Sequence, residues 1–293
     1  MGPMSLLKIL FTSLLIFASG IVVPAEANIL RYAPMVDEAE WSSGSSKLRC
    51  KISQTIPRYG YVQFIRYAGK PLNLLVYSEE KPVRAGKAVL RAEPEAWKHN
   101  ASAKELGTIS YRTREPIFRL NRHLAQSALF ELEKGMSPSL HFSNWGVNGN
   151  QITVSMSSVN FLPALETFRA CTAELIPYDF ATASKMNVFF KGGSAELTES
   201  AMERLDAVAD YLNNDPGINT AYVEGHSDAA GETGRNFELS KQRAEAAYNY
   251  LLQRGVAETK LKLRYYGQRR PIASNKTAAG RAKNRRVSLR LIK

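Results

Sequence analysis

A strand, a glycine-rich loop and a helix follow one another in YVEGHSDAAGETGRNFELSKQRAEAA, residues 222–247, and this succession limits the surrounding fold more than any other stretch. The apolar alternation ends at Gly225, the loop runs over residues 227–234, and Asn236 is the expected helix cap. Two charged residues hold the informative places: Asp228 just past the strand and Arg243 within the helix. The apolar stripe of that helix, Leu239, Ala246, Ala247, Tyr250 and Leu251, takes in position 243. A core-facing arginine needs an anionic partner. The end of a strand and the first turns of the next helix converge at the carboxyl edge of a sheet, so Asp228 and Arg243 are expected a few ångströms apart. One anion and one cation on rigid elements suit a zwitterionic ligand bearing an ammonium and a carboxylate. They equally suit an internal salt bridge that holds the loop down.

With 293 residues the chain exceeds one average domain, and its 44% hydrophobic content allows a real core. Residues 1–27 read as a signal peptide: Lys8, an apolar run over residues 9–23, then Ala25-Glu26-Ala27 as the small-x-small cleavage pattern. That run is short for a membrane span, no span is expected after its removal, and export to the periplasm follows. The formal charge of +12 is concentrated at the carboxyl end, where residues 260–293 hold many Lys and Arg and no Asp or Glu. A nucleic-acid footprint is the first reading of such a tail. Export and the lack of an RNA-binding aromatic block oppose it, and a solvated face near an anionic cell wall fits better. The two cysteines, Cys50 and Cys171, are an even pair in an oxidising compartment and too few for a cysteine metal site, so a disulfide is expected.

Residues 28–176 are expected to form a mainly-β module with a few helices. Residues 28–46 read as a lead-in segment, followed by short strands near Tyr61–Tyr67, Leu72–Tyr77 and Ala88–Leu90. Helices are expected over residues 121–134 and from the cap Asn160 to Leu175, with a strand at residues 151–157 between them. Trp41, Trp97 and Trp145 are either partner contacts or core. Past Pro177 a second unit, residues 180–293, reads β-α-β-α-β-β: a strand at residues 186–190, a helix from Thr198, the central strand and helix, and strands near Leu261–Tyr265 and Val287–Ile292. The fold class is therefore α+β, a mainly-β amino-terminal module followed by an α/β sandwich with helices on one face.

Four blocks in order, VEGHSD, NFELSKQRA, YYGQRRPIASN and GRAKNRRV, resemble the OmpA-like peptidoglycan-binding domain over residues 186–292. The resemblance implies that Asp228 holds the ammonium of a diaminopimelate residue in the stem peptide and Arg243 its carboxylate, with Asn236 and Arg285 lining the same pocket. This chain departs from the pattern at Lys191-Gly192-Gly193, where family members usually carry acidic or amide residues. The amino-terminal stretches LFELEKGMSPSLHFSNW and ITVSMSSVNFLPALETFRAC, followed by such a domain, resemble the MotY family of periplasmic flagellar-motor components. That resemblance implies peptidoglycan, a basal-body ring and stator-associated proteins as partners. A general OmpA-type stabiliser of the envelope, unrelated to motility, is the competing reading.

Catalysis is not expected. His226, Ser227 and Asp228 are contiguous, but members of a triad converge through the fold, and neighbours on a strand point to opposite faces. Ala229 stands where a nucleophile elbow needs its second glycine. His99, His123 and His141 show no metal-ligand spacing, and no phosphate-binding loop is present, so neither metal nor cofactor is expected.

Overall fold

Every second residue from Cys50 to Ile56 is buried while those between face outward, which makes this segment a strand with one face on a core. The computed structural model describes residues 29–143 and 150–293; the expected signal peptide and Trp145 lie outside the described residues. The strands of the first sheet are β1 (Ile29–Tyr32), β2 (Trp41–Ser46), β3 (Arg49–Ile56), β4 (Gly60–Tyr67), β5 (Asn73–Ser78), β6 (Gly86–Pro94), β7 (Lys104–Tyr111), β8 (Phe118–Leu120), β9 (Met136–Phe142) and β10 (Gln151–Ser155). Their order is β1-β10-β9-β6-β7-β8-β5-β4-β3-β2. The expected lead-in segment therefore supplies both edge strands, β1 parallel to β10 and β2 antiparallel to β3. Neither shows an apolar alternation, because WSSGSS and the exposed β1 are fixed by backbone pairing at a polar edge rather than by burial.

Two helices cover the core of this sheet. In α1 (Arg122–Glu133) Leu124, Ala128 and Leu132 are buried, and Asn121 caps its start by accepting the Leu124 N–H at 3.1 Å. In α2 (Phe161–Ala173) Phe161, Leu165 and Phe168 are buried. Asn160 stands before α2 in a left-handed conformation with φ 56°, and its amide donates to the Ala39 carbonyl at 3.1 Å instead of capping the helix. Trp41 belongs to this core: its ring meets Phe161 edge-on at 5.0 Å and its indole N–H donates to the Ser157 carbonyl at 3.0 Å. Trp97 is 48% exposed. A disulfide joins Cys50 on β3 to Cys171 on α2.

The second sheet runs β11-β14-β12-β13, built from β11 (Asn187–Phe189), β12 (Thr220–Gly225), β13 (Leu261–Tyr265) and β14 (Arg286–Ile292). β12 and β13 are parallel, joined by a crossover helix, while β14 inserts antiparallel between β11 and β12. Helices α4 (Glu199–Asn214) and α5 (Thr233–Gln253) give the expected β-α-β-α-β-β order. Leu205, Val208, Leu212, Val223, Leu251 and Leu289 form their shared core, to which Ala68 and Ile176 also contribute. Two short helices were not foreseen, α3 (Phe180–Ala183) and α6 (Ala278–Asn284). The AAGRAKN sequence of α6 has no apolar period; Thr277 starts it by accepting the Gly280 N–H at 3.1 Å.

Gly225 sets the distance between β12 and α5. A Cβ there would lie 2.0 Å from the Ser240 carbonyl oxygen, so only glycine lets the helix cross this close to the strand end. Asn236 is not the cap of α5, which begins at Thr233; it lies inside the first turns and is buried. The buried side of α5 is Asn236, Ser240, Arg243, Ala244, Ala247 and Leu251, polar toward its start and apolar toward its end. Leu239, Ala246 and Tyr250 of the expected stripe are only half-buried.

Candidate functional site

Arg243 is fully buried, as its place on the stripe requires. Its guanidinium donates from Nε to the Ser194 carbonyl at 2.9 Å, from Nη1 to the His226 carbonyl at 3.1 Å and from Nη2 to the Lys191 carbonyl at 3.1 Å. The Phe190 ring lies 5.4 Å from it. The partners are thus backbone dipoles rather than a carboxylate. Burial pushes the Arg243 pKa down to about 10, with Asp228 opposing and Arg285 adding to the shift. It stays charged at neutral pH.

The cation bonded to Asp228 is Arg285, not Arg243, which corrects the pairing expected from the sequence. Arg285 Nη1 donates to Asp228 Oδ2 at 3.0 Å, and Arg285 Nε donates to the Phe190 carbonyl at 3.1 Å. Asp228 Oδ1 accepts the Ala230 N–H at 3.1 Å, which folds the loop back on itself. The internal salt bridge foreseen between Asp228 and Arg243 is not formed. Instead one carboxylate faces two guanidiniums, Arg285 in contact and Arg243 behind, so the site carries an excess positive charge. Asn236 sits to one side, donating from Nδ2 to Gln268 Oε1 at 2.9 Å.

Three further residues shape the loops and were not singled out in the sequence. Asn284, fully buried at the end of α6, accepts the N–H groups of Ile272 and Ala273 at 2.8 and 3.0 Å and donates to the Ala273 carbonyl and to Asn275 Oδ1, both at 2.8 Å. Asn275 Oδ1 also accepts the Ala229 N–H at 3.2 Å, tying this knot to the loop beside Asp228. Ser240 Oγ accepts the Gly267 N–H at 2.9 Å. The available signal was positional: Asn275 and Asn284 fall inside the ASN and AKNRR blocks of the resemblance.

The Lys191-Gly192-Gly193 departure leaves the Arg243 contacts intact, because the loop reaches Arg243 through main-chain carbonyls. Side chains at positions 192 and 193 would meet open space.

His226 is a packed structural residue. It is 3% exposed and its ring stacks 5.4 Å from Tyr266. Burial, then the Arg286 and Arg270 charges, push its pKa down to about 3. The folded state therefore binds fewer protons here than the unfolded chain, whose histidine titrates near 6.5. Its contribution is fully present above about pH 6.5 and is lost as pH falls toward about 3, with a slope of at most about 1.4 kcal/mol per pH unit. Urea melts of wild type and His226→Gln at pH 7 and pH 4.5 check this, and the wild type is expected to lose more stability on acidification than the variant.

The MotY N-terminal domain family matches residues 32–177, and the OmpA family matches residues 189–285. The sodium-type flagellar protein MotY of Vibrio parahaemolyticus is 28% identical over 264 residues, 89% of this chain and 90% of that protein. The chain belongs to the MotY family, with an OmpA domain at its carboxyl end. That family is structural rather than enzymatic, in keeping with a packed and uncharged His226. The OmpA span of this MotY homologue contains Asp228, Asn236, Arg243 and, as its last residue, Arg285. Peptidoglycan-associated lipoprotein of Pseudomonas aeruginosa is 30% identical over 156 residues, 53% of this chain and 78% of that protein. The crystal structure of the peptidoglycan-associated lipoprotein from Burkholderia pseudomallei aligns at a TM-score of 0.35 and 27% identity, over 36% of this chain and 89% of that one. Among the described residues no helix is long and apolar enough to cross a membrane.

Proposed function

We propose that the protein is a non-catalytic periplasmic anchor, in which residues 180–293 grip peptidoglycan through diaminopimelate and residues 28–176 join that grip to the flagellar motor, at its basal-body ring and stators. The observation that carries the wall contact is one carboxylate, Asp228, set against two guanidiniums. Such a site presents both signs of charge to a ligand. The free end of diaminopimelate is net neutral, but it brings an ammonium for Asp228 and a carboxylate for the Arg243 and Arg285 pair, so each ligand charge meets its opposite. Asn236 lines the same pocket by the OmpA resemblance. The motor role rests on the MotY N-terminal domain match, which a general envelope stabiliser has no reason to carry.

The test is co-sedimentation of the purified protein with diaminopimelate-containing sacculi, with free diaminopimelate as competitor. Asp228→Asn removes a charge-assisted contact of about 1.5–3 kcal/mol, so binding is expected to weaken by roughly 10-fold or more. Wild-type affinity in that variant, or pelleting that diaminopimelate does not compete, would remove the pocket from the reading. Deletion in the native host separates motor from stabiliser: lost swimming with intact filaments supports the first, leaky envelopes with normal swimming the second.

A further inference from the structure

Helices α4 and α5 cover one face of the second sheet, and the opposite face is dominated by cations. Across the strands Tyr222 pairs with Lys262 on one side and Arg290 on the other, and Glu224 pairs with Arg264 and Ser288. The guanidiniums of Arg264 and Arg290 lie 4.0 and 4.5 Å from the Tyr222 ring centre, and that of Arg270 lies 3.9 Å from Tyr266. Against these, among the described residues of these strands, stands one carboxylate, Glu224, already shared by Arg264 at 3.6 Å, Arg290 at 3.9 Å and the Tyr266 hydroxyl at 3.4 Å.

Arg286 sharpens the imbalance. It is 4% exposed, its Nε donates to Ser288 Oγ at 3.0 Å and its Nη2 to the Arg270 carbonyl at 3.3 Å, and Nη1 has no partner among the described residues. Lys262, Arg264 and Arg290 are exposed. A guanidinium resting on a tyrosine ring still offers an N–H edge to a ligand, and little side-chain freedom is left to lose when a carboxylate arrives. An array of such edges around an over-committed glutamate is built for a polymer carrying many carboxylates. Peptidoglycan, whose stem peptides bear carboxylates, is such a polymer, and this face begins at Arg286, the residue after the Arg285 that holds Asp228.

We infer that this outer sheet face, centred on Arg264, Arg290 and Lys262, is a second contact for peptidoglycan carboxylates, electrostatic and without fixed register, beside the Asp228 pocket. It rests on the peptidoglycan reading of that pocket. The pocket selects a residue, whereas the face raises the local concentration of stem peptides and slows their escape.

The experiment is sacculus co-sedimentation of the full chain between about 0.1 M and about 1 M NaCl, over which the screening length falls from about 10 Å to about 3 Å. Wild-type affinity is expected to fall roughly 10-fold across that range, while R264Q/R290Q starts roughly 10-fold weaker at low salt and then changes little. Asp228→Asn is expected to be weaker at every salt concentration and to keep the wild-type salt dependence. Should the double variant not fold, Lys262→Glu, at an exposed position, tests the same face and is expected to weaken low-salt binding alone. Wild-type affinity and salt dependence in the face variants, with Asp228→Asn weakened, would overturn this inference and leave the pocket standing. If the wild type fails to bind at any salt, the pocket reading falls and this one with it.

Discussion

Replacing Arg243 with alanine is expected to lower the stability of the protein by about 3–5 kcal/mol, the range for large-to-small changes at fully buried sites with lost hydrogen bonds. The sequence alone suggests a milder result, loss of ligand from a surviving fold, because it presents Arg243 as a pocket residue. The structure gives the side chain a prior task. It satisfies the carbonyls of Lys191, Ser194 and His226 from a position with no exposed surface. Alanine would leave those acceptors facing a void where the guanidinium and two methylenes had been. The loop over residues 191–194 and the end of β12 would lose their common tie. Arg243→Lys is expected to recover part of the loss, since a single ammonium without the guanidinium fork reaches fewer of the three carbonyls. Urea melts of the variants against wild type measure this, and a shift of Arg243→Ala below about 1 kcal/mol would show that water replaces the guanidinium without cost. It follows that weak sacculus binding by Arg243→Ala cannot by itself assign the residue to the ligand; Asp228→Asn, which keeps the side chain's size, is the cleaner probe.

That Arg243 belongs to the interior was legible, because helical period alone places position 243 on the stripe. What meets it was not, because backbone carbonyls leave no mark in a sequence and a carboxylate in the preceding loop is the more visible candidate. The Asp228 and Arg285 contact spans 57 positions and joins a strand end to a helix end, a pairing no local periodicity encodes. Asn236 shows how cap chemistry misleads: the residue type suits a cap, yet the helix starts at Thr233 and Asn236 turns inward to Gln268. Likewise β1 and β2 are strands through their ladders and not through buried side chains, so a segment as polar as WSSGSS gave no signal. The helices with clear apolar faces, α1, α4 and α5, were readable within a few residues, whereas α6, seven residues long and without such a face, was not. The disulfide was readable for a different reason, since export and an even count leave the two cysteines little else to do.

Reduction of that disulfide is expected to cost about 4–5 kcal/mol, because the bond closes a loop of 121 residues whose closure entropy the reduced unfolded chain regains. The loss should concentrate in the first sheet. Cys50 is buried on β3, Cys171 is partly exposed on α2, and the helix otherwise rests on Phe161, Leu165 and Phe168. Trp41 reports on this docking directly, since its ring packs on Phe161 and its indole N–H holds the Ser157 carbonyl just before α2. No tryptophan of the chain lies beyond residue 177 and Trp41 packs in the first core, so tryptophan fluorescence does not report on the second sheet. Cys171→Ser is the variant of choice, because serine at position 50 would add a buried hydroxyl to the lost bond. Denaturation followed by tryptophan fluorescence is expected to shift to lower urea in Cys171→Ser and in reduced wild type alike, with unfolding of the second sheet, followed by hydrogen exchange at Val223 and Leu289, much less affected. Equal loss in both sheets would mean that the Ala68 and Ile176 contacts couple the two cores into one cooperative unit, and that the disulfide stabilises the pocket as well as the sheet it closes.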